Sequence, residues 1–437
     1  MRRVIKVLLG LIILGAIVVG GAWIWATSPS EIAAIEPPDP ASLDSQMIED
    51  GEFLALVGDC SACHTTSNGE RYAGGLPLPT PFGTIYSTNI TPDRETGIGT
   101  WSQEAFTRAM RDGLDRNGNH LYPAFPYDHF AKTTDADLEA LYAYFMAQPA
   151  VSSAPTPNEL DFPFSYRALL AGWKLLFHDP APFEPDPALD DEENRGKYLV
   201  EGLGHCGACH SPRNAFGAVD TANAFAGGEA EGWSVPAIAE RSTSPVAWSM
   251  DDYVDYLFDG WDEEHGIAAG PMTSVADHLY DADEDDVFAM AAYLASRTEE
   301  PDDAAREAAI DAAAAMDWGE EERPGGANAP TDALALDGEQ VFFANCAECH
   351  KARVAETQPV SLALTPPIVS DTPRNLLNVV HLGISPPYGA AQRKMPTRRL
   401  SVDEMEALAA FVRWRFSDLP PWDGVAEIAE EVTTTSH

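Results

Sequence analysis

The sequence predicts a mainly α-helical chain of three tandem units behind an N-terminal membrane-spanning segment, and three observations carry that expectation. One plan of segments occurs three times along 437 residues. All six cysteines fall into three close pairs, one to each unit: Cys60 and Cys63, Cys206 and Cys209, Cys346 and Cys349. Residues 7–26 carry no charge. The length agrees with about three domains at the usual ~100 to 200 residues each.

The N-terminus reads Met1-Arg2-Arg3-Val4-Ile5-Lys6 before the charge-free run. As a helix that run is ~30 Å long, enough to cross a bilayer. A cleaved signal peptide would have an apolar core of ~7 to 15 residues ending at a small-x-small site. Here the run is longer and ends in Trp23-Ile24-Trp25, an aromatic belt. The expectation is a retained anchor over residues 1–27, with cleavage as the alternative. Either way Arg2, Arg3 and Lys6 stay inside and the bulk of the chain is exported.

Each unit opens with a short glycine-led helix, Gly51-Glu52-Phe53-Leu54, Gly196-Lys197-Tyr198-Leu199 or Gly338-Glu339-Gln340-Val341-Phe342, which runs into a cysteine pair. Each closes with an acidic start followed by apolar residues at helical spacing, over 135–145, 283–294 and 401–412. Asp or Ser at those starts is a natural N-cap, with acidic residues in the first turn. The domains are therefore expected at 45–148, 192–297 and 335–418. Pro-rich or acidic, Ala-rich stretches over 28–44, 148–191 and 298–334 read as linkers. Within the middle linker, 166–177 has a helical apolar pattern with Trp173 and Phe177, expected as a strut packing between domains.

Charge excludes some functions, since 27 basic and 69 acidic residues give −42. Nucleic acid and anionic lipid are poor partners for such a chain. The acidity suits a solvating surface and, compatibly, docking of a basic redox partner.

The cysteine pairs carry the chemistry. Each is followed directly by histidine: Cys60-Ser61-Ala62-Cys63-His64, Cys206-Gly207-Ala208-Cys209-His210 and Cys346-Ala347-Glu348-Cys349-His350. Two sulfurs at this spacing can each bond one vinyl carbon of a porphyrin, and the adjacent imidazole then falls beneath the iron. Half a zinc site or a redox disulfide would also use Cys-x-x-Cys. Histidine follows all three times, however, and no cysteine remains to complete a four-ligand zinc site within a unit. A Gly-x-Gly-x-x-Gly string at 202–207 lies inside the second motif and opens no strand-turn-helix unit. The units are thus expected to be class I cytochrome c domains with three covalently bound haem c groups and His64, His210 and His350 as proximal ligands.

Superposing the units on a helix-ending glycine seeks the opposite face of each iron. Twelve residues after Gly113, Gly260 and Gly383 stand Phe125, Met272 and Met395. A thioether is a soft iron ligand that raises the haem potential, so Met272 and Met395 are the expected distal ligands. Phenylalanine cannot bind iron. Met110, which superposes on Leu257 and Val380, is the expected substitute, with His129, His120 or an open iron as alternatives.

With these residues in place the chain resembles the membrane-bound three-haem cytochrome c subunits of bacterial periplasmic dehydrogenases, such as quinoprotein alcohol dehydrogenase and flavin-dependent sugar dehydrogenases. The resemblance rests on Thr80-Pro81-Phe82-Gly83, Ser87-Thr88-Asn89-Ile90-Thr91-Pro92-Asp93, Gly97-Ile98-Gly99-Thr100-Trp101 and the HCGACHSPRN string at 205–214, and spans about residues 51–416. Alcohol dehydrogenase subunits carry methionine where Phe125 stands. The variant loop over 122–130 (YPAFPYDHF) is more similar to cytochromes that accompany molybdenum hydroxylases oxidising aldehydes or N-heteroaromatic acids such as nicotinate. The resemblance implies an electron-transfer subunit without a substrate site of its own, passing electrons from a dehydrogenase large subunit to ubiquinone or a terminal oxidase. The rival expectation is a haem peroxidase that uses an open first haem, with His120 or His129 as acid-base group.

Overall fold

A computed structural model describes residues 20–21, 27, 29–298, 302–316, 330–350 and 361–434. The expected anchor over 7–26 lies outside the described residues except for Gly20 and Gly21. Among the described residues no helix is long and apolar enough to cross a membrane. The chain divides into two compact units, one of residues 1–184 with 215–218, the other of 185–214 with 219–437. The first holds the first sequence repeat, and the second holds the other two.

In the first unit α1 (Ser45–Val57) starts where the Asp44 carboxylate accepts hydrogen bonds from the Gln46 and Met47 amides. A single turn, Cys60–His64, follows it. Next come an antiparallel hairpin of β1 (Pro77–Thr80) and β2 (Gly83–Tyr86), which also pairs with β3 (Glu159–Leu160), and then α2 (Gln103–Asp112). The closing helix α3 (Asp135–Ala147) is capped by Thr134, one residue before the acidic start. The 166–177 pattern forms α4 (Leu169–Phe177), whose Leu170 is buried and whose Trp173 indole donates to the Phe216 carbonyl within the same unit.

The second unit repeats the plan twice. Its helices are α5 (Asp191–Tyr198), α6 (Met250–Phe258), α7 (Pro271–Tyr280) and α8 (Glu284–Ser296), then α9 (Asp303–Met316), α10 (Ala333–Asn345), α11 (Arg374–Leu382), α12 (Val402–Phe416) and α13 (Val425–Thr434). Asp283 caps α8 and Ser401 caps α12, as their sequence predicts. Two hairpins are added, β4 (Gly228–Ala230) with β5 (Trp233–Val235) and β6 (Trp261–Asp262) with β7 (Gly266–Ile267).

One crossing recurs in all three repeats and shows why each opening helix carries its glycine. A Cβ on Gly51 would lie 2.1 Å from the Ala140 carbonyl oxygen of α3. On Gly196 it would lie 1.8 Å from Ala289 O of α8, and on Gly338 1.9 Å from Ala407 O of α12. Any side chain would push the helices apart, so the opening and closing helices of each repeat touch backbone to backbone. Tyr144, Tyr293 and Phe411 flank the contact from the closing helix in each case.

Two boundaries differ from the sequence reading. The third linker contains α9, because Arg306 finds acidic partners: it forms a two-pronged pair with the buried Asp252 and a further ion pair with the partly buried Glu264. Further along the same side of α9, Ala309, Ile310, Ala313 and Met316 pack on the core of the third repeat around Phe342, Phe411 and Phe416. The third repeat also runs past residue 418, since Val425, Ala429 and Val432 of α13 are buried in that core. Second and third repeats meet directly where Asn375 of α11 exchanges hydrogen bonds with the Ser234 backbone of β5, at 2.9 and 2.6 Å.

Candidate haem sites

The first two cysteine motifs sit on single turns entered through a left-handed residue, Asp59 (φ 47°) before Cys60 and His205 (φ 38°) before Cys206. The third motif ends on the turn Ala347–His350 directly behind α10. Burial pushes the Cys60 thiol up to about 12, with Asp59 and Cys63 adding to it, the Cys206 thiol to about 12, and the Cys346 thiol to about 11.

The histidines are fixed by backbone. His64 Nδ1–H donates to the Thr88 carbonyl at 2.6 Å, and His210 Nδ1–H donates to the Pro236 carbonyl at 2.8 Å. A proton committed at Nδ1 leaves Nε2 with its lone pair, the tautomer a metal needs, and fixes the ring plane. Burial lowers the pKa of both rings against the opposing effect of the hydrogen bond, which favours the neutral imidazole. His350 is likewise lowered by burial.

Each carbonyl is delivered by a hairpin. After the first motif the Gly74 amide donates to the His64 carbonyl and the chain passes through β1 and β2 to Thr88. After the second, the Gly227 amide donates to the His210 carbonyl and β4 and β5 lead to Pro236. Gly74 and Gly227 have φ of 71° and 87°, and a Cβ on Gly74 would sit 2.4 Å from the Thr88 carbonyl carbon. Sequence reasoning missed these hairpins. The signal was present as Ala73-Gly74-Gly75 and Ala226-Gly227-Gly228, a second shared string that follows each of the first two motifs.

On the other side the three glycines behave alike. Gly113, Gly260 and Gly383 all have positive φ, at 58°, 70° and 74°. The residue after each forms a β-bridge: Leu114 with His120, Trp261 with Ile267, and Ile384 with Met395. The third loop is longer, so the shared count of twelve joins unlike places. Met272 lies five residues past its bridge, in the first turn of α7, and Phe125 lies five past its own. Met395 is itself the bridge residue, partly buried against the third core.

The candidates for the first distal position separate in the same frame. Met110 is buried in α2, and so are its counterparts Leu257 and Val380, so packing alone accounts for an apolar side chain there. His129 lies on the short turn Tyr127–Phe130. His120 is buried and occupies the bridge position that Met395 holds in the third repeat. Phe125 packs its ring 5.3 Å from Phe130 and 6.4 Å from Tyr127, in an aromatic cluster.

In the first two repeats, partly buried cysteine pairs beside an imidazole whose tautomer is set for metal form a donor set that fits haem c. Comparison with known proteins agrees. The cytochrome c family model matches residues 335–415. The chain is 44% identical over 411 residues to a nicotinate dehydrogenase subunit of Pseudomonas putida, covering 92% of this chain but only 33% of that relative's length. It is 35% identical over 412 residues to the cytochrome c subunit of the quinone alcohol dehydrogenase of Gluconobacter oxydans, covering 90% of this chain and 83% of that subunit. A dihaem c-type cytochrome of Cereibacter sphaeroides is 36% identical over 302 residues, 98% of its own length and 67% of this chain. A likeness that spans nearly a whole subunit at this identity leaves one conclusion: the chain belongs to the family of cytochrome c subunits of dehydrogenases, electron carriers with covalently bound haem c.

Proposed function

We propose that the chain carries three haem c groups, attached through Cys60 and Cys63, Cys206 and Cys209, and Cys346 and Cys349, with His64, His210 and His350 as proximal ligands. The observation that carries this reading is the histidine held through Nδ1 by a backbone carbonyl in two repeats, beside a third Cys-x-x-Cys-His motif of the same plan. Bound in this way, each group accepts and releases one electron at a potential set by its axial ligands and burial. The protein's part is to fix the imidazoles, exclude water with the aromatic helix crossings, and hold the repeats in place.

Met272 and Met395 are the distal ligands of the second and third sites in this reading. For the first site the shared bridge position favours His120 over Met110, with His129 as the remaining candidate. The electron donor is the large subunit of a partner dehydrogenase. The likeness to the nicotinate dehydrogenase subunit, together with the YPAFPYDHF loop, supports a hydroxylase of N-heteroaromatic acids or aldehydes. The acceptor is ubiquinone or a terminal oxidase, the location is the periplasmic side of a bacterial inner membrane, and residues 1–27 are the anchor. Nothing in the comparisons supports a peroxidase.

Acid-acetone extraction followed by intact mass tests the count, and all three haems should stay attached. Purified with its partner, the chain should be reduced on addition of the dehydrogenase substrate and reoxidised by a ubiquinone analogue. Loss of haem on extraction, or a chain that stays oxidised with substrate, would overturn the assignment.

A further inference from the structure

Acidic residues outnumber basic ones 69 to 27 along this chain, but several stretches lack them. Between Asp161 and Asp179 there is no acidic residue, although 69 occur in 437. That stretch exposes Phe162 (80%), Leu175 (86%) and Leu176 (72%), with Phe164, Tyr166 and Leu169 also exposed. Phe216 joins it, exposed, with its ring tilted against Phe177 at 5.8 Å between centroids. Its two cations are engaged by neighbouring groups, although Arg167 itself is exposed. Arg167 donates to the His120 carbonyl and lies over the Tyr122 ring, while Lys174 donates to the Asp112 and Gly113 carbonyls at the end of α2. The result is an apolar ridge free of acidic residues on a strongly anionic protein.

We propose that this ridge is a seat on the lipid bilayer, with the tips of Phe162, Leu175 and Leu176 entering the headgroup-acyl boundary. Two observations select lipid as the occupant. The first is charge. A basic protein partner would be drawn to acids, which this ridge lacks, and a chain of net charge −42 is repelled by anionic surfaces, so attachment must be apolar. The second is continuity with the chain's N-terminal end. Just beyond the charge-free run, the Ile32 amide donates to the Arg116 carbonyl and Arg108 donates to the Ser30 carbonyl. That fixes the emerging chain to the hairpin closed by Leu114 and His120. The ridge is tied to the same hairpin and the residue beyond it, through Arg167 on His120 O and the Tyr122 hydroxyl donating to Phe164 O at 3.0 Å. A run that ends in the membrane and a ridge on one hairpin face the same bilayer. This second argument rests on the anchor proposed above.

The test uses the full haem-loaded chain in phosphatidylcholine-phosphatidylethanolamine vesicles, with a nitroxide at Leu175→Cys, at Phe162→Cys, or at the exposed Glu139→Cys on α3 as reference. A seat predicts that collision with a water-soluble nickel chelate, relative to oxygen, falls about fivefold at 162 and 175 compared with 139, as for side chains below the headgroups. If the chain floats with the vesicles and all three labels are equally open to nickel, the seat is wrong and the anchor stands. If the chain does not float, both are wrong. Shielding that appears only when the dehydrogenase large subunit is added assigns the ridge to a protein interface and overturns the proposal.

Discussion

In the first repeat a hairpin after the cysteine motif brings Thr88 O to His64 Nδ1, and in the second another hairpin brings Pro236 O to His210 Nδ1. Across from them, the same helix-ending glycine leads through the same short bridge to Phe125 in one repeat and Met272 in the other. The histidine side depends on backbone, namely glycines, hairpins and carbonyls. The opposite side keeps its backbone and changes a side chain. With haem held as proposed, such an arrangement would preserve attachment while leaving the potential of each site open to adjustment, because the axial ligand is among the strongest levers on it.

Breaking the shared scaffold should have the largest effect. Gly196→Ala and Gly338→Ala each place a methyl within 2 Å of a carbonyl oxygen in the closing helix, and Gly51→Ala does so at 2.1 Å. Each should cost roughly 3 kcal/mol, the upper end for overpacking, because backbone must move rather than a side chain. Thermal unfolding followed by circular dichroism checks this. A melting temperature unchanged in all three variants would mean that the crossings are looser than described.

Next come the hairpin glycines. Gly74→Ala and Gly227→Ala force a side chain into a left-handed backbone at a cost of about 1 to 3 kcal/mol, and both displace the carbonyl that holds the histidine. Losing that bond removes electron density from the imidazole, so the potential of the affected haem should rise while attachment persists. Redox titration reads it. If the two repeats responded in opposite directions, their histidine sides would not be equivalent.

Exchanging the distal residues sharpens the other half of the comparison. Phe125→Met should be tolerated within about 1.5 kcal/mol, since both side chains are large and apolar. Met272→Phe should lower the potential of the second haem, because it removes a thioether that favours reduced iron. An unchanged titration for Met272→Phe would return Met272 to a packing role.

What could be read from sequence follows the same division. The repeats, the caps Asp283 and Ser401, the cysteine motifs and the helix-ending glycines are local signals, and they appear where expected. The twelve-residue count failed as a guide to equivalence because loop length is not local. The third loop runs from Ile384 to Met395, whereas the first runs only from Leu114 to His120, so equal counts reach different rungs. Helix α9 was hidden for a different reason: its acidic, Ala-rich composition resembles a linker until Arg306 meets Asp252. That carboxyl would be raised by burial, but hydrogen bonds from His265, Arg306 and Ser249 hold it well below the usual carboxylate range. No periodicity in the 298–334 segment reports such a partner.

The smallest structural change carries the finest distinction, at the first distal site. Met110 shares a buried place with Leu257 and Val380, so Met110→Leu should cost under about 1.5 kcal/mol and leave the spectrum of every haem intact. His120→Ala should turn the first haem high-spin, because the bridge position that Met395 fills in the third repeat would then present no donor. Adding Phe125→Met to His120→Ala places a thioether where Met272 stands in the second repeat, and a low-spin state with a methionine signature should return. The double variant separates ligand loss from general damage, since a collapsed loop could not be rescued by one side chain. If His120→Ala remains low-spin while Met110→Leu does not, the sulfur of α2 is the ligand and the bridge equivalence with Met395 does not extend to the iron. If neither single variant changes the spectrum, His129 on its short turn is the remaining donor, and His129→Ala should be the one to open the site.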